Sequence, residues 1–435
     1  MRGRVVHIAR VFWRALPLLL FVSAVAARAD GLAGYWSGTW TKAGDPLPVT
    51  VAFEKSGEKY AGAFDSDALQ VAGIPFKEVS MTGAKVRFVL AGDATTAIFD
   101  GALAGDDLSG TFTEGPAAGT FRLARTTAPP PLDRRDAAFA NGGVKLAGEL
   151  IVPATSGRHP AILFLHGSGA EGRFASRYLA QRFARAGFVA LIYDKRGVGQ
   201  STGDWQQSGF EELADDAASG IRFLATQPEV DPKRIGTYGH SQGGTIAPLV
   251  ASRAQTLGFV IASAAGGLDP AEVEIYSIEN SLGVSQLPAS ERADAQRFVR
   301  EIVEVAYKGK SRAGLDAMAT EFKNRSWYFD PPPLGHSYWA ISRKIAGFRP
   351  LDYWRRVRAP ILLLFGAHDE RVPPVKSADA IIAALKASGN TKVTLKVFPD
   401  ADHTFRIVPQ SPAGGWSKRV PDYADTLVNW ARAQN

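Results

Sequence analysis

The chain reads as a doubly wound, mostly parallel α/β sheet with a helical insert, preceded by a small all-β domain. Three observations predict this. Residues 31–125 hold short alternating apolar runs between Gly, Asp and Pro turns, as an antiparallel meander does. From residue 136 the apolar runs become continuous and alternate with helical stretches, as strands buried on both faces of a parallel sheet do. Between the two lies Thr126-Thr127-Ala128-Pro129-Pro130-Pro131, and consecutive prolines favour a stiff extended linker, drawn here at 126–135.

The all-β part (30–125) opens with Gly34-Tyr35-Trp36-Ser37-Gly38-Thr39-Trp40, which is similar to the first strand of lipocalin-like barrels. Further strands are expected at 49–53, 60–64, 86–90, 97–103, 108–113 and 119–123, curling into a small barrel or sandwich. In the α/β part (136–435), strands are expected at 144–152, 161–165, 188–193, 234–238, 258–262, 361–365 and 393–398. Helices are expected at 177–186, 211–226, 377–387 and 422–433. The interruption between Gly267 and Pro360 is too long for a loop in a compact fold, so 268–350 reads as a helical cap.

Residues 1–29 have the layout of an export signal. Arg2, Arg4, Arg10 and Arg14 precede an apolar run from Ala15 to Ala27, and Ala27-Arg28-Ala29 is a small-x-small cleavage pattern. Pro17 breaks the run, which is short for a bilayer span, so no stable membrane insertion is expected after cleavage and the mature chain is periplasmic or secreted. The signal also accounts for most of the charge. The whole chain is +7, but residues 1–29 hold five arginines and no acid, leaving +2 for the rest. A nearly neutral mature chain is not that of a nucleic-acid binder. There are no cysteines, which excludes disulfides, thiolate metal sites and a cysteine nucleophile.

The chemistry centres on Gly239-His240-Ser241-Gln242-Gly243, between an apolar strand and a small-residue helix. A serine on so tight a turn is held strained with its hydroxyl exposed, and the following helix aims free N–H groups at it. Of the histidines outside the signal, His159 and His166 precede the serine, His240 adjoins it, and His336 falls in the cap. His368 shares a loop with acids, whereas His403 follows the last strand, at the sheet edge where Ser241 emerges. His403 is therefore the expected base. Asp369, after the strand 361–365, is the expected orienting acid, with Glu370, Asp400 and Asp402 as rivals. His166-Gly167-Ser168-Gly169 ends another strand, so the N–H of Ser168, or of Gly169, is paired with that of Gln242 as an oxyanion hole. Lys195 and Arg196 read either as a substrate clamp or, for Arg196, as a structural ion pair. The cap aromatics Trp327, Tyr328, Tyr338 and Trp339 are assigned no site.

These motifs, with Asn141-Gly142-Gly143-Val144, Asp194-Lys195-Arg196-Gly197-Val198-Gly199 and Gly366-Ala367-His368-Asp369, resemble the α/β-hydrolase superfamily. The resemblance is to the branch of dienelactone hydrolases and prolyl-oligopeptidase-like peptidases, over residues 136–435. It implies Ser241 as nucleophile, His403 as base and Asp369 as acid, with no metal or organic cofactor. Dienelactone hydrolases use a cysteine that this chain lacks, and the oligopeptidases carry a β-propeller too large for the N-terminal part. The expectation is an exported serine hydrolase acting on a small-molecule carboxylic ester. The alternatives are a peptidase or aminopeptidase, an acyl thioesterase, or a ligand-binding protein on an idle scaffold.

Overall fold

The computed structural model describes residues 31–92, 95–254, 257–408 and 414–434; the expected signal at 1–29 lies outside them. Among the described residues two units emerge, one within 132–406 and 422–434, the other within 31–131 together with 407–408 and 414–421.

In the β unit, alternation of apolar and polar residues sets the register. Strands β1 (Gly34–Lys42), β2 (Asp45–Ser56), β3 (Lys59–Ser66), β4 (Val71–Pro75), β5 (Glu78–Thr82), β6 (Lys85–Ala91), β7 (Thr96–Ala104), β8 (Asp107–Glu114) and β9 (Ala117–Thr126) form one antiparallel sheet. Its order is β4-β3-β2-β1-β9-β8-β7-β6-β5. Strong curling carries Phe76, between β4 and β5, to where its N–H donates to Gly62 O at 2.8 Å while Lys77 N–H donates to Val89 O at 2.7 Å. Trp36, Trp40, Phe53, Phe88, Phe99, Phe112 and Phe121 fill the inside. Phe88 and Phe99 stack with centroids 4.5 Å apart. Aromatics of this size dominate core energetics, which lets a small domain without disulfides hold together.

Strand β9 reaches Thr126 and the next strand opens at Asp133, so the linker is shorter than the expected 126–135. Residues 407–408 and 414–421, expected in the α/β part, instead belong to the β unit. Trp416 N–H donates to Asp45 Oδ2 at 2.9 Å and its indole N–H to Asp45 O at 3.0 Å, and its ring packs on Trp40 and Phe112.

The α/β unit has an eight-stranded sheet of β10 (Asp133–Asn141), β11 (Val144–Val152), β12 (His159–Leu165), β13 (Val189–Tyr193), β14 (Val230–His240), β15 (Phe259–Ser263), β16 (Ile361–Gly366) and β17 (Val393–Phe398). The order is β10-β11-β13-β12-β14-β15-β16-β17. The first two pairings are antiparallel and the rest parallel. β12, β13 and β15 are buried at every residue, because helices cover both faces. Those helices are α1 (Arg177–Arg185), α2 (Phe210–Ala225), α3 (Gln242–Arg253), and, after the insert, α9 (Pro374–Ala387) and α10 (Tyr423–Arg432). The insert between β15 and β16 is helical: α4 (Pro270–Ser281), α5 (Ala289–Lys308), α6 (Ala313–Phe322), α7 (Ser337–Ile345) and the short α8 (Pro350–Trp354). It keeps an apolar cluster of its own around Phe298, Ile302, Leu315, Phe322 and Trp327.

β10 was absent from the sequence expectation. Its Arg134 and Arg135 look unlike a strand, but an antiparallel edge strand leaves such side chains in solvent. There Arg134 Nε pairs with Glu149 across the ladder at 2.6 Å.

Candidate active site

Parallel strands finish at one edge of the sheet, so the loops that leave them gather there. Leu165 pairs with Gly239, His240 with Ser263, and Gly366 with Phe398. The loops after β12, β13, β14, β16 and β17 are thereby brought level.

Ser241 sits between β14 and α3 with φ 57° and ψ −117°, a left-sided conformation that costs a non-glycine residue about 1–3 kcal/mol. Its N–H donates to Ser263 O at 2.8 Å, and Thr245 N–H donates to Ser241 O at 2.9 Å. The turn closes this tightly because its flanks lack side chains. A Cβ on Gly239 would lie 2.3 Å from Gly243 C and O, and one on Gly243 would lie 2.9 Å from the carbonyl oxygens of Leu165 and His166. The second figure also shows how closely the first turn of α3 approaches the loop after β12.

Three expected side chains form one row. Ser241 Oγ is 2.9 Å from His403 Nε2. His403 Nδ1 is 2.9 Å from Asp369 Oδ2 and 3.0 Å from Oδ1. Asp369 is 2% exposed and His403 7%, so water screens the row poorly. Asp369 Oδ1 also accepts from the N–H groups of Arg371 and Val372, each at 2.8 Å, which fixes the carboxylate. With the ring N–H on Nδ1 facing a carboxylate, Nε2 is left as an acceptor for the serine proton. Such a row can activate a hydroxyl as a nucleophile and stabilise the imidazolium that results.

The rival acids are engaged elsewhere or point outward. Glu370 Oε2 accepts from the main-chain N–H of His403 at 3.4 Å, and Asp402 binds the hydroxyl and N–H of Thr404 and the N–H of Arg406. Asp400 is exposed. Four of the other histidines are bound elsewhere or exposed. His159 meets Thr155 O, His166 meets Tyr193 O, His336 caps α7, and His368 is exposed. Burial, helped by the Lys195 charge, pushes the His166 imidazole down to about 3.

Ser168 is exposed just beyond β12, and Gln242 is the first residue of α3, where helical N–H groups have no intrahelical acceptor. Lys195 lies beneath both, its Nζ donating to Gly167 O, Gly169 O and Gln242 Oε1 at 2.7, 2.9 and 2.9 Å. Arg196 makes the structural pair: two bonds of 2.7 Å to Asp216, both side chains buried. The cap aromatics Trp327, Tyr328, Tyr338 and Trp339 pack within the insert. Sequence reasoning missed Tyr276 of α4, whose hydroxyl donates to Asp369 O at 2.7 Å, and it set aside His240, whose ring lies 5.0 Å from that of His403. No local pattern marks Tyr276, since its partner lies 93 residues away. Among the described residues, no group of three or more His, Asp or Glu converges as a metal site, and no helix is long and apolar enough to cross a membrane.

The chain is similar to several known proteins. Esterase EstD of Thermotoga maritima is 24% identical over 269 residues, 59% of this chain and 57% of EstD. The uncharacterized peptidase YuxL of Bacillus subtilis is 24% identical over 276 residues, 60% of this chain but 34% of its own length. The chain thus spans less than two thirds of the length of each of these relatives. The esterase Pf2001 of Pyrococcus furiosus is similar in structure, at 18% identity and TM-score 0.42, over 70% of this chain and 91% of that one. The family model for X-Pro dipeptidyl-peptidase (S15 family) matches residues 142–398, more than half of the chain, taking in Ser241 and Asp369. An elbow serine at the edge of a doubly wound sheet and this match lead to one conclusion: the chain is an α/β-hydrolase serine hydrolase of the esterase and peptidase type and belongs to the S15 family.

Proposed function

We propose that this is an exported carboxylic-ester hydrolase with Ser241 as nucleophile, His403 as general base and acid, and Asp369 as the orienting acid. The observation that carries the reading is the 2.9 Å approach of Ser241 Oγ to an imidazole whose other nitrogen rests on a buried carboxylate. Ser241 Oγ bonds to the ester carbonyl carbon as its proton passes to His403 Nε2. The oxyanion is met by the N–H groups of Gln242 and Ser168. When the C–O bond to the alcohol breaks, His403 returns the proton to the departing oxygen. Water then gives a proton to His403, attacks the acyl carbon, and releases the acid as Ser241 regains its hydrogen.

An ester needs no charged anchor outside this row, and the acids beside Asp369 are already engaged by the loop that holds His403. A second reading, a serine peptidase cleaving near the substrate amino terminus, is favoured by the description of the matching family model. The two separate in one assay. The ester reading expects p-nitrophenyl acetate or butyrate to turn over and aminoacyl-proline p-nitroanilides to lag by at least about 100-fold, the difference that binding and orientation can supply. A reversed preference supports the peptidase. In either case a fluorophosphonate should add one label at Ser241, and Ser241→Ala should lower kcat by about 10⁴–10⁶. A folded protein that stays unlabelled contradicts both. Export is supported by the arginines and apolar run of residues 1–29, and sequencing of the secreted form should begin at Asp30.

A further inference from the structure

Lys195 follows β13, is 2% exposed, and takes no part in the steps above. An ammonium carries three N–H bonds, and all three are spent, on Gly167 O, Gly169 O and Gln242 Oε1. No donor is left for a substrate, which sets aside the clamp reading.

The choice of acceptors has a geometric consequence. Gly167 C=O and Ser168 N–H belong to one planar trans peptide, in which they point in opposite directions. Binding the Gly167 oxygen to the ammonium at 2.7 Å therefore turns the Ser168 N–H away from Lys195. The bond to Gly169 O holds the far side of the same loop, at a residue whose φ is +86°. The third bond goes to the side chain of Gln242, whose own N–H heads α3. Glu171 completes the fastening, accepting from Gly167 N–H at 2.6 Å.

We infer that Lys195 is a positioning residue for the oxyanion: it aims the Ser168 N–H, ties that loop to Gln242, and polarises the peptide that faces the developing charge. The inference rests on the oxyanion assignment made above. A cation hydrogen-bonded to the carbonyl end of a peptide strengthens the donor at its N–H end, and low polarity enlarges the effect. The other groups around Nζ leave it this role. Glu171 is the neighbouring acid, the Trp205 ring lies 5.5 Å away, and Asp194 is committed to Arg173. Burial, only partly offset by the Glu171 charge, lowers the amine to about 8, so it is mostly charged at neutral pH.

The test uses Lys195→Met and a chemical rescue. The chain has no cysteine, so Lys195→Cys can be alkylated at that one position with 2-bromoethylamine while unfolded and then refolded, restoring a side-chain amine. Lys195→Met is expected to lower kcat for p-nitrophenyl butyrate by about 100-fold, in the range for loss of one oxyanion donor, with KM changed less than about threefold. Fluorophosphonate labelling should slow in parallel. Alkylated Lys195→Cys should regain at least about tenfold in kcat over the unmodified variant. Wild-type kcat in Lys195→Met, a change confined to KM, or an amine that restores nothing would overturn the inference. Should Lys195→Met not fold, Gln242→Met, which keeps the backbone N–H and removes the acceptor, is expected to cost about tenfold in kcat, and no cost overturns it. A wild-type enzyme that neither labels at Ser241 nor turns over esters defeats the parent reading instead, so the two failures are distinct.

Discussion

His166 shows what burial does to one residue. Its imidazole Nε2–H donates to Tyr193 O at 2.6 Å with the Tyr193 ring 4.3 Å away, and burial, with the nearby Lys195 charge, pushes its pKa down to about 3. In the unfolded chain it titrates near its ordinary value, about 6.5. The unfolded state thus binds a proton that the folded state refuses, so stability is full above about pH 6.5 and falls as the pH drops from there toward 3. Urea midpoints between pH 7 and 5 should decline in the wild type and decline less in His166→Gln. Equal slopes would show that the loss comes from other groups. The window stops at pH 5 because below it the unfolded chain's carboxylates begin to take up protons that their paired folded counterparts refuse. Asp194 is one: burial alone would raise it, but the Arg173 bonds and charge hold it below its ordinary value.

At the scale of the element, the elbow is a packing problem solved by missing side chains. Gly239→Ala would put a methyl 2.3 Å from Gly243 backbone atoms, contacts that no rotamer relieves. The turn must open, at an expected cost above about 3 kcal/mol. Gly143→Ala, where a Cβ meets nothing within 4 Å, is the control and should stay within about 0.5 kcal/mol of wild type. Thermal midpoints and Ser241 labelling read both; a Gly239→Ala variant that labels normally rules out this packing account. The elbow was legible because its constraint is local, a serine between a strand and a helix with glycine on either side. Continuous apolar strands such as β12 and β16 were legible for the same kind of reason. β4, β5 and β10 were not, since their residues become strands only through the neighbours they pair with.

For the whole molecule, the β unit is discontinuous in sequence. Residues 414–421 join it, with Trp416 hydrogen-bonded to Asp45 from 371 positions away and Lys42 Nζ 4.2 Å above the indole. Trp416→Ala is expected to destabilise the β unit by about 2 kcal/mol, less than a fully buried tryptophan because its ring is only partly buried. Urea unfolding followed by far-ultraviolet circular dichroism should show an earlier transition. An unmoved midpoint means the segment contributes nothing to that core.

The amino-acid order by itself determined where strands and helices alternate, which serine stands on a strained turn, and which histidine and acid come after the strands beyond it. Those are properties of neighbours in the chain, set by sterics and apolar periodicity over a few residues. Tertiary structure alone decided that Lys195 spends every donor on the loop after β12 and the head of α3, that Tyr276 reaches Asp369, and that Trp416 packs into a unit begun near residue 34. Each is a contact between groups distant in sequence, and only the folded backbone sets their distance.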